Sequence, residues 1–99
     1  MSDLVFLLSA DIDIQEAYEY YENFQEGRGD LFMRHLDAAF THLRMFPKIA
    51  PVFHGNYRRL LVPRYPYGIF YTIESSRIIV AAVIPFQQNP ADLLRRLGQ

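Results

Sequence analysis

Tyr67-Gly68-Ile69-Phe70-Tyr71-Thr72-Ile73-Glu74-Ser75-Ser76-Arg77-Ile78-Ile79-Val80-Ala81-Ala82-Val83-Ile84 is the stretch on which the fold turns. Two runs of β-branched and aromatic residues flank a Ser-Ser pair, which reads as two antiparallel strands, Tyr67 to Glu74 and Ile78 to Ile84, about a tight turn. The second run is apolar at both parities, with Ile78, Val80, Ala82 and Ile84 on one side and Ile79, Ala81 and Val83 on the other. A strand without a polar face needs cover on both sides, so the sheet it sits in must be sandwiched.

Working outward, Tyr57 to Val62 reads as a further strand, joined to the first run by a proline-containing corner at Pro63 to Pro66. Upstream of Pro47 and Pro51 the periodicity changes to helical. Phe32, Leu36, Ala39, Phe40, Leu43 and Phe46 share one stripe of a helix from Asp30 to about Phe46, stopped by Pro47. Before it, Ile14, Ala17, Tyr18, Tyr21 and Phe24 mark an amphipathic helix whose opposite face carries Gln15, Glu19, Glu22 and Glu26. Ser9, Asp11 or Asp13 would cap it, Asp13 with Glu16 having the capping-box spacing, and Gly27 and Gly29 end it. Leu4 to Leu8 reads as a short buried strand, and Pro90 to Leu97 as a short terminal helix with Leu93, Leu94 and Leu97 on its apolar side. The expected order is β-α-α-β-β-β-(α), an α+β fold with a helical hairpin on one face of a mainly antiparallel four-stranded sheet. The terminal helix, only about 12 Å long, is too short to cover the other face. Exposed apolar surface there is expected to bind a partner or a second copy of the chain.

Ninety-nine residues fit one domain, 1–99, and 51% hydrophobic residues with 15% aromatics exclude disorder. With no cysteine, disulfides, thiolate metal sites and cysteine nucleophiles are excluded, and a cytoplasmic location is expected. The apolar run Leu4 to Leu8 is far shorter than the ~20 residues of a membrane span, so no membrane association is expected. The formal net charge of −1 conceals an asymmetry: residues 1–27 hold seven acids and no Lys or Arg, while residues 28–99 hold ten bases and four acids. Nine of the ten bases are Arg, suited to carboxylate or phosphate recognition, so an acidic partner is one reading and mutual neutralisation of the two halves is the other.

His35 and His42, seven residues apart on one helix, are about 10 Å apart in rise and cannot share a metal ion, and no phosphate loop or nucleophile elbow occurs. The paired acids Asp11 and Asp13, and Glu19, Glu22 and Glu26, read as caps and a solvated helix face. The informative segment is Tyr57-Arg58-Arg59 followed by Arg64-Tyr65-Pro66-Tyr67-Gly68-Ile69-Phe70-Tyr71, where Arg and Tyr interleave. Such a composition either binds phosphates and stacks bases or simply stabilises a sheet by cross-strand aromatic and cation–π pairs.

That segment, with Asp11-Ile12, Glu16-Ala17 and Tyr20-Tyr21-Glu22 near the start and Asn89-Pro90 before Leu93-Leu94-Arg95-Arg96-Leu97 at the end, resembles the RelE/ParE superfamily of small toxins from Leu4 to Leu97. The resemblance implies a plasmid-stabilisation type of protein: the toxin of a type II toxin–antitoxin system, neutralised by a cognate antitoxin. RelE-like members cleave messenger RNA on the ribosome and ParE-like members poison DNA gyrase. Arg58 matches the first of the basic positions of RelE-like ribonucleases. Leu60, Gly68 and Gln88 stand where further bases would be, and Leu94 stands near the position of a Tyr. Without those groups phosphoryl transfer lacks proton transfer and charge stabilisation, so the resemblance is nearer ParE and leans away from an enzyme. Pro85 and Gln88 also replace a His and an Arg of many family members. The readings, in order, are a ParE-like toxin or toxin homologue, a non-toxic partner-binding homologue, and a ribosome-dependent ribonuclease. Arg58, Arg59, Arg64, Tyr65, Tyr67, Tyr71, Gln88, Arg95 and Arg96 are the expected partner- or target-binding residues; no cofactor or metal is expected.

Overall fold

The structure, a computed structural model, describes residues 2–87 and 90–97; Gln88 lies outside the described residues. The elements run β1 (Asp3–Phe6), α1 (Leu8–Phe24), α2 (Arg28–Met45), β2 (Val52–His54), β3 (Tyr57–Leu61), β4 (Tyr67–Glu74), β5 (Arg77–Pro85) and α3 (Pro90–Arg96). The α+β class and the helical hairpin agree with the sequence reading, but the four-stranded sheet does not. There are five strands in the order β1-β5-β4-β3-β2, and the sheet is mixed because β1 lies parallel to β5. The additional strand, β2, has three residues between Pro51 and Gly55, too few to display an alternating pattern. It turns back into β3 through Gly55, whose φ of 57° is in the left-handed region that favours glycine.

Helix α1 starts at Leu8, well before Ile14, because its first turns do not follow the amphipathic pattern: Leu8 and Ile12 are exposed. The capping role expected of Asp13 is also corrected. Strand β1 ends at Phe6 opposite Val80, so β5 continues beyond it without a strand partner on that edge. Two α1 side chains take over. Ser9 Oγ donates to the Ala81 carbonyl at 3.1 Å, and the Val83 N–H donates to Asp13 Oδ2 at 3.0 Å. Asp13 therefore sits on the buried side with Ala10 and Ala17, at positions i, i+3 and i+7.

Glu22 likewise leaves the solvated face it was assigned to. Its carboxylate accepts the Gly27 N–H at 3.0 Å and the Gly29 N–H at 2.9 Å, satisfying donors at the start of α2. The hairpin is tight at this end: a Cβ on Gly29 would stand 2.8 Å from the Tyr18 ring. Phe32, Leu36, Phe40 and Leu43 of α2 then pack with Ala10 and Ala17 onto Ile69, Tyr71, Ile78, Val80 and Val83. Each large side chain so buried contributes about 1.5–3 kcal/mol.

The strict alternation expected for β5 fails at one point. Phe70 is opposite Ala82 but Tyr71 is opposite Val80, so Ala81 is an extra residue, a β-bulge that reverses the phase. Ile78, Val80 and Val83 thus face the hairpin, whereas Ala82 and Ile84 join Phe70, Leu93 and Leu97 on the other side. The bulge lets a continuous apolar run serve both faces.

Candidate partner-binding face

The face away from the hairpin is the candidate site. At one end α3 closes it, with Leu93 and Leu97 on Phe70, Ala82 and Ile84, and Tyr57 beside them. An ion pair fixes this helix: Arg96 Nη2 lies 2.7 Å from Asp13 Oδ2, and Arg96 Nη1 donates to Oδ1 at 3.3 Å. Arg95, which is exposed, pairs with Asp92 one turn earlier. Beyond α3 the face opens into a cavity of about 490 Å³, lined among others by Leu7, Asn56, Tyr57, Thr72, Ile79 and Ala81. The short terminal helix therefore covers one end of the face and leaves the other concave.

On β3 the two adjacent arginines part company. Arg59 lies on this face, its guanidinium carbon 4.7 Å from the centre of the Phe53 ring, which in turn meets Phe70 edge-on at 5.4 Å. Arg58 points to the hairpin side and donates to the Ala50 carbonyl at 2.7 Å, holding the loop before β2. It fastens that loop and, half-buried, also lines a concavity together with Lys48, Val52 and Glu74. Gly68 is packed beneath Arg59; a Cβ there would lie 3.1 Å from the Phe70 ring and 3.2 Å from Arg59 Cγ. The position at which RelE-like ribonucleases carry an Arg is thus filled by neighbouring side chains.

The tyrosines expected at the site belong largely to the hairpin core. Tyr71 is fully buried and its hydroxyl donates to the Pro47 carbonyl at 2.7 Å, so it offers no surface to a partner. Burial pushes its pKa up, against the opposing effects of a hydrogen bond from the Ala50 backbone and of Arg58. Tyr65 and Tyr67 lie against Phe32 at 5.0 and 5.4 Å and against Tyr21 at 5.2 and 6.2 Å. Within this cluster burial, reinforced by the neighbouring phenols, pushes Tyr21 up to about 12. Burial also raises Tyr67, with Tyr20, Asp13 and Glu16 adding to it. The alternating pattern could not reveal this, because tyrosines on a strand look the same whether they face a partner or a helix. Arg64 is exposed in the β3–β4 corner with φ 73°.

Two residues that shape this face, one on it and one on α1 clamping α3, escaped the sequence reading. Phe53 lies on the strand too short to recognise. Asp13 carried a signal, an acid at an apolar helical position, that was read as a cap.

A family model described as the ParE toxin of the type II toxin–antitoxin system, parDE, matches residues 4–90. The chain belongs to the ParE toxin family. Among solved structures, a chain titled as the chromosomal ParDE TA system from P. aeruginosa matches with a TM-score of 0.65 at 13% identity, covering 86% of this chain and 96% of that one. A chain of the YoeB-YefM complex from Staphylococcus aureus matches with a TM-score of 0.52 at 12% identity, covering 85% and 95%. At these identities the likeness is one of fold. No curated protein gives a significant match. Among the described residues of this ParE-family chain, no helix is long and apolar enough to cross a membrane.

Proposed function

We propose that this ParE-family chain is the toxin of a type II toxin–antitoxin system, that it acts by binding a target such as DNA gyrase rather than by cutting RNA, and that a cognate antitoxin holds it inactive. The observation that carries this reading is the family match over residues 4–90. The antitoxin segment lies on the open part of the second sheet face, where Tyr57, Thr72, Ile79 and Ala81 line a preformed concavity and Arg59 stands at its flank. A cytoplasmic location and an antitoxin-bound resting state go with this reading. Packing at Gly68, where a Cβ would lie 3.1 Å from the Phe70 ring and 3.2 Å from Arg59 Cγ, speaks against the longer side chain that RelE-like ribonucleases carry there.

Expression with and without the neighbouring small reading frame tests it. Growth arrest relieved by the neighbour supports the toxin. A chain that binds the neighbour's product without arresting growth supports instead the non-toxic homologue, which the exposed Pro85 at the end of β5, replacing a His of many members, favours. Codon-dependent cleavage on ribosomes, abolished by Arg58→Ala in a folded protein, would contradict both.

A further inference from the structure

Where β3 begins, β4 runs on past it. The β3–β4 register ends with Arg58 opposite Tyr71, while β4 continues through Thr72, Ile73 and Glu74 against β5, so the sheet has a step on this side. The alternation of the ladder says what the step exposes. The Val62 N–H donates to the Tyr67 carbonyl at 2.9 Å, so the residue pairs that exchange hydrogen bonds are Val62 with Tyr67, Leu60 with Ile69 and Arg58 with Tyr71, and the next would be Asn56 with Ile73. Asn56 instead lies with Gly55 in the turn between β2 and β3, and among the described residues no hydrogen bond joins it to Ile73. The Ile73 N–H and C=O therefore point into the step with no strand opposite them.

A cavity of about 480 Å³ occupies this step, and Thr72, Ile73 and Glu74 all line it. Successive residues of a strand face opposite sides of the sheet, so a cavity that touches all three is entered along the edge of β4 and not from one face. Ile73 packs toward the hairpin, the side to which Arg58 also points, whereas Thr72 and Glu74 line the concavity of the open face as well. The charges are sorted in the same way. Lys48 and Arg58 flank the step on the hairpin side, while Glu74 belongs to the other side and stands opposite Arg77 in the β4–β5 register. The step is shaped before anything binds, because Arg58 holds the Ala50 carbonyl at 2.7 Å and Gly55 turns the chain away at φ 57°. An unpaired edge invites another strand, and one recessed between a turn and Lys48 has room for a single extended segment rather than for the flat edge of a second sheet.

We propose that this step binds an extended segment of a partner protein, which adds to β4 as a short strand through the Ile73 N–H and C=O and sets an acidic side chain, on the residue opposite Ile73, beside Lys48 and Arg58. A residue directly opposite Ile73 shares its face of the sheet, which is the side that carries those two cations. The step adjoins the open-face concavity, but the proposal stands whether or not the antitoxin lies there. A Thr-rich peptide of about eight residues with one central Glu is titrated into the full chain and followed amide by amide in NMR spectra. In the free chain the Ile73 amide is expected to exchange with solvent about tenfold or more faster than the Tyr71 amide, and the bound peptide slows it by a similar factor. Replacing the central Glu by Lys weakens binding about threefold or more, and Lys48→Glu, at an exposed position, removes that preference. Methylating the backbone nitrogen of the central Glu takes away the donor to the Ile73 carbonyl and weakens binding about tenfold, whereas methylating the next residue, whose N–H points away from β4, changes it less than about threefold. No binding, equal affinity for the Glu and Lys peptides, equal tolerance of the two methylations, or an Ile73 amide already protected in the free chain overturns the proposal. Slowing at Ile73 that grows with protein concentration in the absence of peptide would assign the step to a second copy and overturn it as well. None of these failures touches the growth assay for the toxin.

Discussion

The two faces of the sheet are built to different standards. Toward the hairpin, Phe32, Leu36, Leu43, Ile69, Tyr71, Ile78 and Val80 are inaccessible to water, and Tyr21, Tyr65 and Tyr67 extend the packing to the rim. Away from the hairpin, the seven-residue α3 covers one end, clamped by Arg96 on Asp13, and the other end is open. The difference teaches where stability and function reside. A chain this short has material for one well-packed interface, and under the proposed function the leftover apolar face is the place for a partner to add the missing layer.

Breaking the covered face should have the largest effect. Phe32→Ala removes a fully buried ring from the aromatic cluster and is expected to cost about 3–5 kcal/mol by chemical denaturation, with a similar loss for no residue of the open concavity. If Thr72→Ala on the open end cost as much, the contrast between the faces would be false. Asp13→Ala should come next, at about 1–3 kcal/mol, because it leaves the Val83 N–H without its acceptor and frees α3. Asp13→Asn keeps the acceptor and should recover part of the loss. Arg58→Ala, which unties the Ala50 carbonyl, should lower stability by about 1 kcal/mol, whereas Arg59→Ala should stay within about 0.5 kcal/mol and reduce partner binding instead. An equal loss of stability in both variants would erase the distinction drawn between the adjacent arginines.

A further effect is one of pH. Tyr21 is raised from 10.0 to about 12, so the folded chain keeps a proton that the unfolded chain has lost in that interval. Its contribution is intact below pH 10 and is lost as pH rises through about 12. Alkaline unfolding followed by circular dichroism should therefore begin in this window and move to higher pH in Tyr21→Phe. No movement would place the titrating group elsewhere in the cluster.

Much of this contrast was legible in the sequence. The two apolar parities of Ile78 to Ile84 required two covered faces, and the stripe from Phe32 to Leu43 supplied one cover. What escaped detection was set by tertiary partners. A bulge at Ala81 leaves no mark in a run where every residue is apolar. β2 is shorter than one period of alternation that could be trusted, so Phe53 and its stack with Arg59 were invisible. Asp13 and Glu22 resemble ordinary helix acids until the backbone donors they accept, on β5 and at the start of α2, are brought beside them. In the Tyr-rich segment Tyr71 is fully buried while Tyr65 and Tyr67 pack at the edge of the hairpin core, a difference that chemistry alone does not show because it does not say which side of a strand faces inward.

Hydrogen exchange on the complex with the neighbouring reading frame's product tests the central claim most directly. The account predicts that binding slows exchange at Tyr57, Arg59, Thr72, Ile79 and Ala81 on the open face, while Phe32, Leu36 and Leu43 in the hairpin, protected already in the free chain, change little. Protection confined to the outer surfaces of α1 and α2, with the open face exchanging as fast as before, would contradict it.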